Sequence, residues 1–389
     1  MDTTSSRVLL VHDWLTGMRG GEKCLEIAAE RWPQAPLMTL LYRRGSVSPI
    51  IENRPIRASL LNRIPGVHRF YRWLLPVMPT VFRRMKRPTA DLVLSFSHCV
   101  AKSVGPAWNE QGRAPHVCYC FTPMRYAWQM RKAYFGGRLG KLSRPVIDGL
   151  LDRLREWDRR TAAGVDHFIA ISRTIQDRIR ECYGRESEVI YPPADTDFYR
   201  PEPVRREDFY LVVSAFAPYK RLDLAIEACE RLGKNLVVIG SGQDSARLKN
   251  LAGSRVQFLG WQPDEVIRDQ LRRCRALLFP GEEDFGIVPV EAMACGTPVV
   301  AFGRGGCTET VVNLEDTSKK SPTGIWFSEQ SADSLIAALS TLERRLGDID
   351  PSACRDQALK FSRERFAEKF FGYLDRVLMG TATAGRRAA

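Results

Sequence analysis

Residues 281–303, GEEDFGIVPVEAMACGTPVVAFG, gather Glu282, Glu283 and Asp284 at one turn and return a carboxylate at Glu291, in a chain of formal net charge +13. An apolar strand-like run, Ala276 to Phe279, precedes the turn, and a helix-forming segment starting near Val288 or Pro289 follows it. Such a helix start points free N–H groups at the turn and attracts anions. One acid there serves as a helix-end charge worth roughly a few tenths of a kcal/mol, but three are more than that role needs. A carboxylate facing a ligand can instead accept hydrogen bonds from sugar hydroxyls, and Glu291, placed in the first turn of the helix, can face the same ligand.

Other polar residues sit at strand ends. His12 and His98 each follow an apolar run and could reach substrate, although strand-end histidines often only bond to backbone. Asp13 could assist removal of a proton from an attacking hydroxyl. Asp195-Thr196-Asp197 has the D-x-D spacing of a metal site, yet it lies in a proline-flanked segment without a second ligand cluster, so a loop cap is the expected role.

The elements that position these residues alternate. RVLLVH, DLVLSFS, HVCYCF and DHFIAIS, and later FYLVVS, NLVVIG, VQFLG, ALLFPG and PVVAFG, are short apolar strands separated by helical periodicity, the pattern of βαβ units and parallel sheets. They fall into two sets, before about residue 192 and after about residue 208, separated by a segment rich in proline and charge. The expected domains are 1–198 and 199–361, each with its own sheet. Ligands of such sheets bind beyond the carboxyl ends of the strands, so the chemistry is expected in a cleft between the two sets. A last helix, 362–380, opens with a possible Ser362 cap and carries an apolar face of Phe366, Phe370, Tyr373, Leu374 and Val377. It is expected to return to the first domain, with 381–389 as a disordered tail.

Composition excludes several classes. With 44% hydrophobic and 10% aromatic residues, no run long and apolar enough to span a bilayer and no signal-like start, the chain reads as a cytoplasmic globular protein. Its ten cysteines lack a C-x-x-C pair and sit in apolar surroundings, so buried reduced thiols are expected. The first 195 residues carry 31 Lys/Arg against 18 Asp/Glu, whereas the remainder carries 27 of each. Between Glu52 and Asp91 no acid occurs at all, and arginines interleave with Phe70, Tyr71, Trp73, Leu74, Leu75, Val81 and Phe82. That mixture suits peripheral contact with anionic lipid at a membrane face. No nucleic-acid-binding motif accompanies the charge.

The segment from Glu283 to Val300 resembles the second-domain signature of retaining GT-B glycosyltransferases of family 4: a Glu, seven residues, a Glu, then A-M-A-x-G-x-P-V-V. Glu283 and Glu291 fit that register and Glu282 does not. HDWLTGMRGGEK, TPMRYAW, YPPADTDFY and FAPYKRLDLAIEA extend the resemblance along nearly the whole chain, most closely to mannosyl- and related transferases of bacterial O-antigen and exopolysaccharide assembly. The resemblance implies an α/β GT-B fold, two Rossmann-like domains facing across a cleft, the first for the acceptor and the second for the donor. It implies that Gly20 and Gly21 admit the diphosphate and that Lys220 neutralises it on departure. It further implies that Glu283 contacts the transferred sugar, that Phe285, Gly286, Ile287 and Val288 supply amides, and that Glu291 holds the ribose. Gly240 and Gly260 belong to the donor side, with Phe258 to Trp261 lining the base. Arg125 and Arg173 are auxiliary cations.

Two positions depart from that pattern. Ala215 stands where an arginine is usual, with Arg221 as the neighbouring substitute, and Phe121 stands where a histidine is usual. The implied reaction transfers a hexose from a nucleotide diphosphate sugar, GDP-mannose before others, to a lipid-linked glycan acceptor with retention, and needs no metal or cofactor. Competing readings are a silent sugar-nucleotide binder, to which Ala215 and Phe121 point, a transferase using UDP-sugars, and an epimerase or phosphorylase of the same fold.

Overall fold

The computed structural model describes residues 6–110, 112–128, 144–316, 318 and 321–387. The chain forms two compact units, Met1–Pro193 together with Phe366–Ala389, and Ala194–Arg365.

The first unit is built on β1 (Val8–Leu15), β2 (Leu37–Tyr42), β3 (Ile56–Ala58), β4 (Leu92–Ser97), β5 (His116–Cys120), β6 (His167–Ala170) and β7 (Ser187–Val189). Their order is β3-β2-β1-β4-β5-β6-β7, with every neighbouring pair parallel. β1 and β4 are buried along their whole lengths, as strands covered by helices on both faces must be. The chain runs outward from β1 through β2 to β3, then returns to β4 and runs the other way. The reversal lies between β1 and β4, where parallel sheets open a ligand crevice at their carboxyl ends.

The second unit repeats the plan with β8 (Phe209–Val213), β9 (Asn235–Ile239), β10 (Val256–Gly260), β11 (Ala276–Phe279), β12 (Val299–Phe302) and β13 (Gly324–Phe327), ordered β10-β9-β8-β11-β12-β13 and parallel throughout. Here the reversal lies between β8 and β11. Strands β2, β3, β7 and β13 add to the strands read from sequence. β3 and β7 are only three residues long and carry polar residues, too little for a period to show.

The helices that matter below are α1 (Gly20–Arg31), α2 (Met78–Arg84), α3 (Arg144–Ala162), α4 (Arg173–Tyr183), α5 (Leu222–Leu232), α6 (Ile287–Ala294), α7 (Pro351–Leu359) and α8 (Arg363–Arg387). The Ser362 hydroxyl accepts the Arg365 N–H at 3.3 Å and so caps α8. Phe366 and Phe370 stack at 4.9 Å, and both meet the Tyr119 ring edge-on at 5.6 Å. Arg31 at the end of α1 pairs with Asp375 at 3.1 Å and lies over Phe371. The apolar face of α8 thus completes the core of the first unit. The helix continues to Arg387, through most of the stretch expected to be a disordered tail; residues 388 and 389 lie outside the described residues.

The proline-rich segment expected to link the domains is docked instead on the second unit. Arg355 of α7 donates to the carbonyls of Thr196 and Tyr199, and Arg206 donates to those of Cys274 and Gly296. Asp195 accepts the Phe198 N–H at 3.0 Å, the loop-cap geometry expected of it. All ten cysteines are free and buried.

The acid-free stretch folds as short helical turns leading into α2. Tyr71, Leu75, Met78 and Phe82 enter the core, whereas Trp73 is 82% exposed, Leu60 71% and Val77 46%, and Ile64 and Phe70 are also exposed. Among the described residues no helix is long and apolar enough to cross a membrane.

Candidate active site

In the second unit, two loops leave the carboxyl ends of the adjacent strands β8 and β11 and meet. The first closes in a 3-10 turn, Pro218–Lys220, and the second carries Gly281 to Gly286 into α6. They pack so closely that a Cβ on Gly281 would lie 3.1 Å from the Lys220 Cα. Lys220 Nζ pairs with Glu283 Oε1, and both side chains are mostly buried. A cation and a carboxylate therefore stand together at the point of strand reversal, beside a helix start.

That helix starts at Ile287, one residue before the expected start, after Gly286 at φ 83°. Glu291 is accordingly in its second turn, not its first, and is buried at 5% exposure. The Phe285 ring packs on Phe361 at 5.6 Å, which turns this side chain into the core of the unit. Support from behind comes from a loop that the sequence reading did not single out. Gly306 donates its N–H to the Glu283 carbonyl at 2.8 Å, and a Cβ on Gly306 would fall 2.2 Å from the Phe285 Cα. The G-R-G-G run after β12 was the available signal.

Gly240 belongs to the same category of close approach. A Cβ there would lie 1.9 Å from the Ser214 carbonyl oxygen, at φ 135°. Its lack of a side chain thus admits the 214–216 loop of its own unit, and its N–H is given to the Gly260 carbonyl at 2.8 Å. Phe258 packs against Phe216, and Trp261 is largely exposed.

In the first unit, His12, Asp13, Gly20, Gly21 and His98 gather at the carboxyl ends of β1 and β4. Asp13 does not stand ready as a base. It is fully buried, and its two oxygens accept the N–H groups of His98, Cys99, Val100 and Ala101 at 2.6–3.0 Å while His98 Nδ1 lies at 3.0 Å. Burial alone would raise this carboxyl, but His98 and the main-chain donors hold it down at about 2. Asp13 thus clamps the turn after β4. Its depressed value makes a stabilising contribution of about 2 kcal/mol, fully present above the unfolded aspartate value near 4 and lost as the pH falls through about 2. Urea unfolding at pH 6 and pH 3 should show a larger acid loss for the native chain than for Asp13→Asn.

Comparison with known proteins follows the same division. Residues 195–356 match the family described as glycosyl transferases group 1, and residues 39–198 match glycosyltransferase family 4. Both matches are to glycosyltransferase families, and each spans less than half of the chain. An uncharacterized glycosyltransferase of Methanocaldococcus jannaschii is 31% identical over 153 residues, 38% of this chain and 43% of that protein. The human alpha-1,3/1,6-mannosyltransferase is 24% identical over 305 residues, 68% of this chain and 72% of its own length. The first of these alignments thus spans less than half of the relative. Among solved structures, Anabaena HepE in complex with UDP has a TM-score of 0.68 at 18% identity, over 95% of this chain and 100% of its own. The fold is accordingly GT-B, two Rossmann-like parallel α/β units.

In the second unit, Arg221 does not replace the cation missing at Ala215. Arg221 sits at φ 53°, with its guanidinium bonded to Asp223 at 3.2 Å and to the Gln330 carbonyl. Arg125 opens a helical turn, Arg125–Trp128, after β5. Arg173 is exposed at the start of α4, which Ser172 caps through the Ile175 N–H at 3.1 Å. The structure groups Lys220, Glu283, Gly286, Ile287 and Val288 at one reversal point, and His12, Gly20, Gly21 and His98 at the other. Among the described residues no group of His, Cys, Asp and Glu could hold a metal ion.

Proposed function

We propose that the chain is a retaining hexosyltransferase that takes a nucleoside diphosphate sugar as donor and a hydroxyl of a lipid-linked glycan as acceptor, working without a metal ion or resident cofactor. The observation that carries this reading is the convergence of Lys220 and Glu283 at the β8/β11 reversal, against the start of α6. An ammonium beside first-turn N–H groups suits a diphosphate, and a carboxylate among them suits sugar hydroxyls.

The residues divide the work accordingly. As the bond from the anomeric carbon to the phosphate oxygen lengthens, negative charge collects on the departing diphosphate. Lys220 and the amides of Gly286, Ile287 and Val288 stabilise it. Glu283 accepts from a hydroxyl of the transferred sugar, and Glu291 from the ribose. The acceptor hydroxyl attacks the face that the diphosphate leaves, and the diphosphate oxygen takes its proton. The protein contributes position and charge, with no covalent sugar intermediate.

GDP-mannose is the first donor to test, supported by similarity to a mannosyltransferase; a UDP-sugar is the second, supported by the UDP-bound neighbour. Calorimetry of the full chain against GDP-mannose, GDP, UDP-glucose, UDP-N-acetylglucosamine and UDP should show one nucleotide bound selectively and lost in Glu291→Ala. Binding of none of them removes the reading. Binding without transfer to any acceptor moves the chain to the silent binders, as Ala215 and Phe121 suggest.

The acceptor class rests on the stretch from Asn53 to Ala90, which has no acid and exposes Trp73, Leu60 and Val77 among arginines. Such a face suits anionic head groups at the cytoplasmic side of a membrane. The quadruple variant with Arg69, Arg72, Arg83 and Arg84 changed to serine should lose at least tenfold in affinity for anionic liposomes, at roughly 1 kcal/mol per basic residue. Full retention of binding would remove the membrane from the proposal.

A further inference from the structure

His12 holds an imidazole nitrogen that the mechanism above leaves unused. The residue lies in β1 opposite Phe96 of β4, at the reversal of the first sheet, and is 1% exposed. Its Nδ1 is 3.0 Å from the Trp14 carbonyl oxygen. A carbonyl can only accept, so Nδ1 carries the proton and Nε2 presents a lone pair. Burial keeps the ring neutral by lowering its proton affinity, against smaller opposing pulls from Glu22 and Asp13. Among the described residues no group donates to Nε2. A buried acceptor without a donor costs about 1–3 kcal/mol, which a fold retains where something else supplies the donor.

The surroundings identify that donor. Nε2 is 3.5 Å from the point where Gly21 would carry a Cβ, and the Phe121 ring is 3.2 Å from the same point. His98 and Phe121 stand with ring centroids 6.4 Å from the His12 ring. Gly20 and Gly21 open α1, a helix of 12 residues, so their N–H groups are first-turn donors. Nε2 therefore lies beside a helix start at which a side chain on Gly21 would crowd the Phe121 ring. Acceptor and donors side by side fit a group carrying both a hydroxyl hydrogen and oxygen lone pairs.

We propose that His12 Nε2 is a substrate-binding acceptor, which takes a hydrogen bond from a sugar hydroxyl seated against Gly21. The proposal rests on the transferase reading above, and the hydroxyl belongs either to the donor sugar or to the acceptor glycan. No proton changes owner and no bond other than the hydrogen bond forms.

The chain has five histidines, few enough for nitrogen NMR of the full-length protein labelled at histidine. GDP-mannose, GDP, UDP-glucose, UDP and then a glycan acceptor are added in turn, with transfer measured on the same material. His12 Nε2 should move with a nucleotide sugar and not with the bare nucleotide if the donor sugar supplies the hydroxyl, or only with the glycan if the acceptor does. His12→Asn keeps a donor for the Trp14 carbonyl but removes the acceptor, and should lower kcat/KM about 10-fold or more. The loss should fall on the donor KM in the first case and on the acceptor KM in the second. His12→Gln, with an oxygen able to reach the Nε2 position, should recover part of it. If nucleotide sugars bind and are turned over while His12 Nε2 stays unmoved and a folded His12→Asn keeps its kinetics within twofold, the proposal is overturned and the transferase reading stands. If no nucleotide sugar binds, both fall together.

Discussion

Lys220→Ala is expected to lower kcat by about 10²–10³-fold, the cost of removing one well-placed charge donor from a site where leaving-group charge develops. The reason is local. Arg221 is committed to Asp223 and the Gln330 carbonyl, and position 215 carries a methyl group, so Lys220 is the cation that the β8 loop brings to the start of α6. Binding of the nucleotide sugar should weaken far less than turnover, because charge on the diphosphate grows as the bond breaks. Lys220→Arg keeps the charge with a different shape and should recover only part of the rate. Steady-state transfer with the donor chosen by calorimetry decides it; a Lys220→Ala chain within tenfold of the native kcat would withdraw Lys220 from leaving-group stabilisation.

The second large effect concerns stability. Lys102 and Asp158 are 2% and 0% exposed in the first unit and pair at 2.8 Å. The ammonium also donates to the Thr161 hydroxyl at 2.9 Å, while Asp158 Oδ2 accepts from Trp128 Nε1 at 2.9 Å and from the Tyr183 hydroxyl at 2.7 Å. This network ties the turn after β4, the helical turn Arg125–Trp128, α3 and α4 into one body. Breaking a buried pair by removing one member costs about 3–5 kcal/mol, because the other charge stays buried and uncompensated. Asp158→Leu should therefore lower the thermal midpoint of the first unit by roughly 10 °C. The double variant Lys102→Met with Asp158→Leu should lose clearly less than the sum of the single losses. Thermal unfolding followed by calorimetry of all three chains measures this; additive losses would mean that the two charges are independent.

Much of this was legible in the sequence, and unevenly so. The strands read from sequence are mostly apolar, so their alternation with helices showed the two parallel sheets. Ser362 and the aromatic face of the last helix likewise announced their destination in their spacing. Short β3 and β7 had too few residues for a period, and the longer β2 and β13 were missed as well. The docking of residues 194–206 on the second unit was hidden because it depends on Arg206 and Arg355 finding carbonyls far away in the chain.

The site divides in the same way. Residue type and spacing determined that Glu283 and Lys220 stand on strand-to-helix turns and Glu291 in the helix that follows, since local backbone geometry follows from local sequence. Only tertiary structure decided what each carboxylate is bonded to. Asp13 looked like a base because it follows a histidine after a strand, yet four N–H groups from residues 98–101, about 85 positions along the chain, occupy it. Gly240 looked like a ligand-binding glycine and instead makes room for the Ser214 carbonyl. Sequence fixes which groups can accept or donate, but a buried group's partners come from strands brought together by the sheet order, and that order is set by packing across the whole unit.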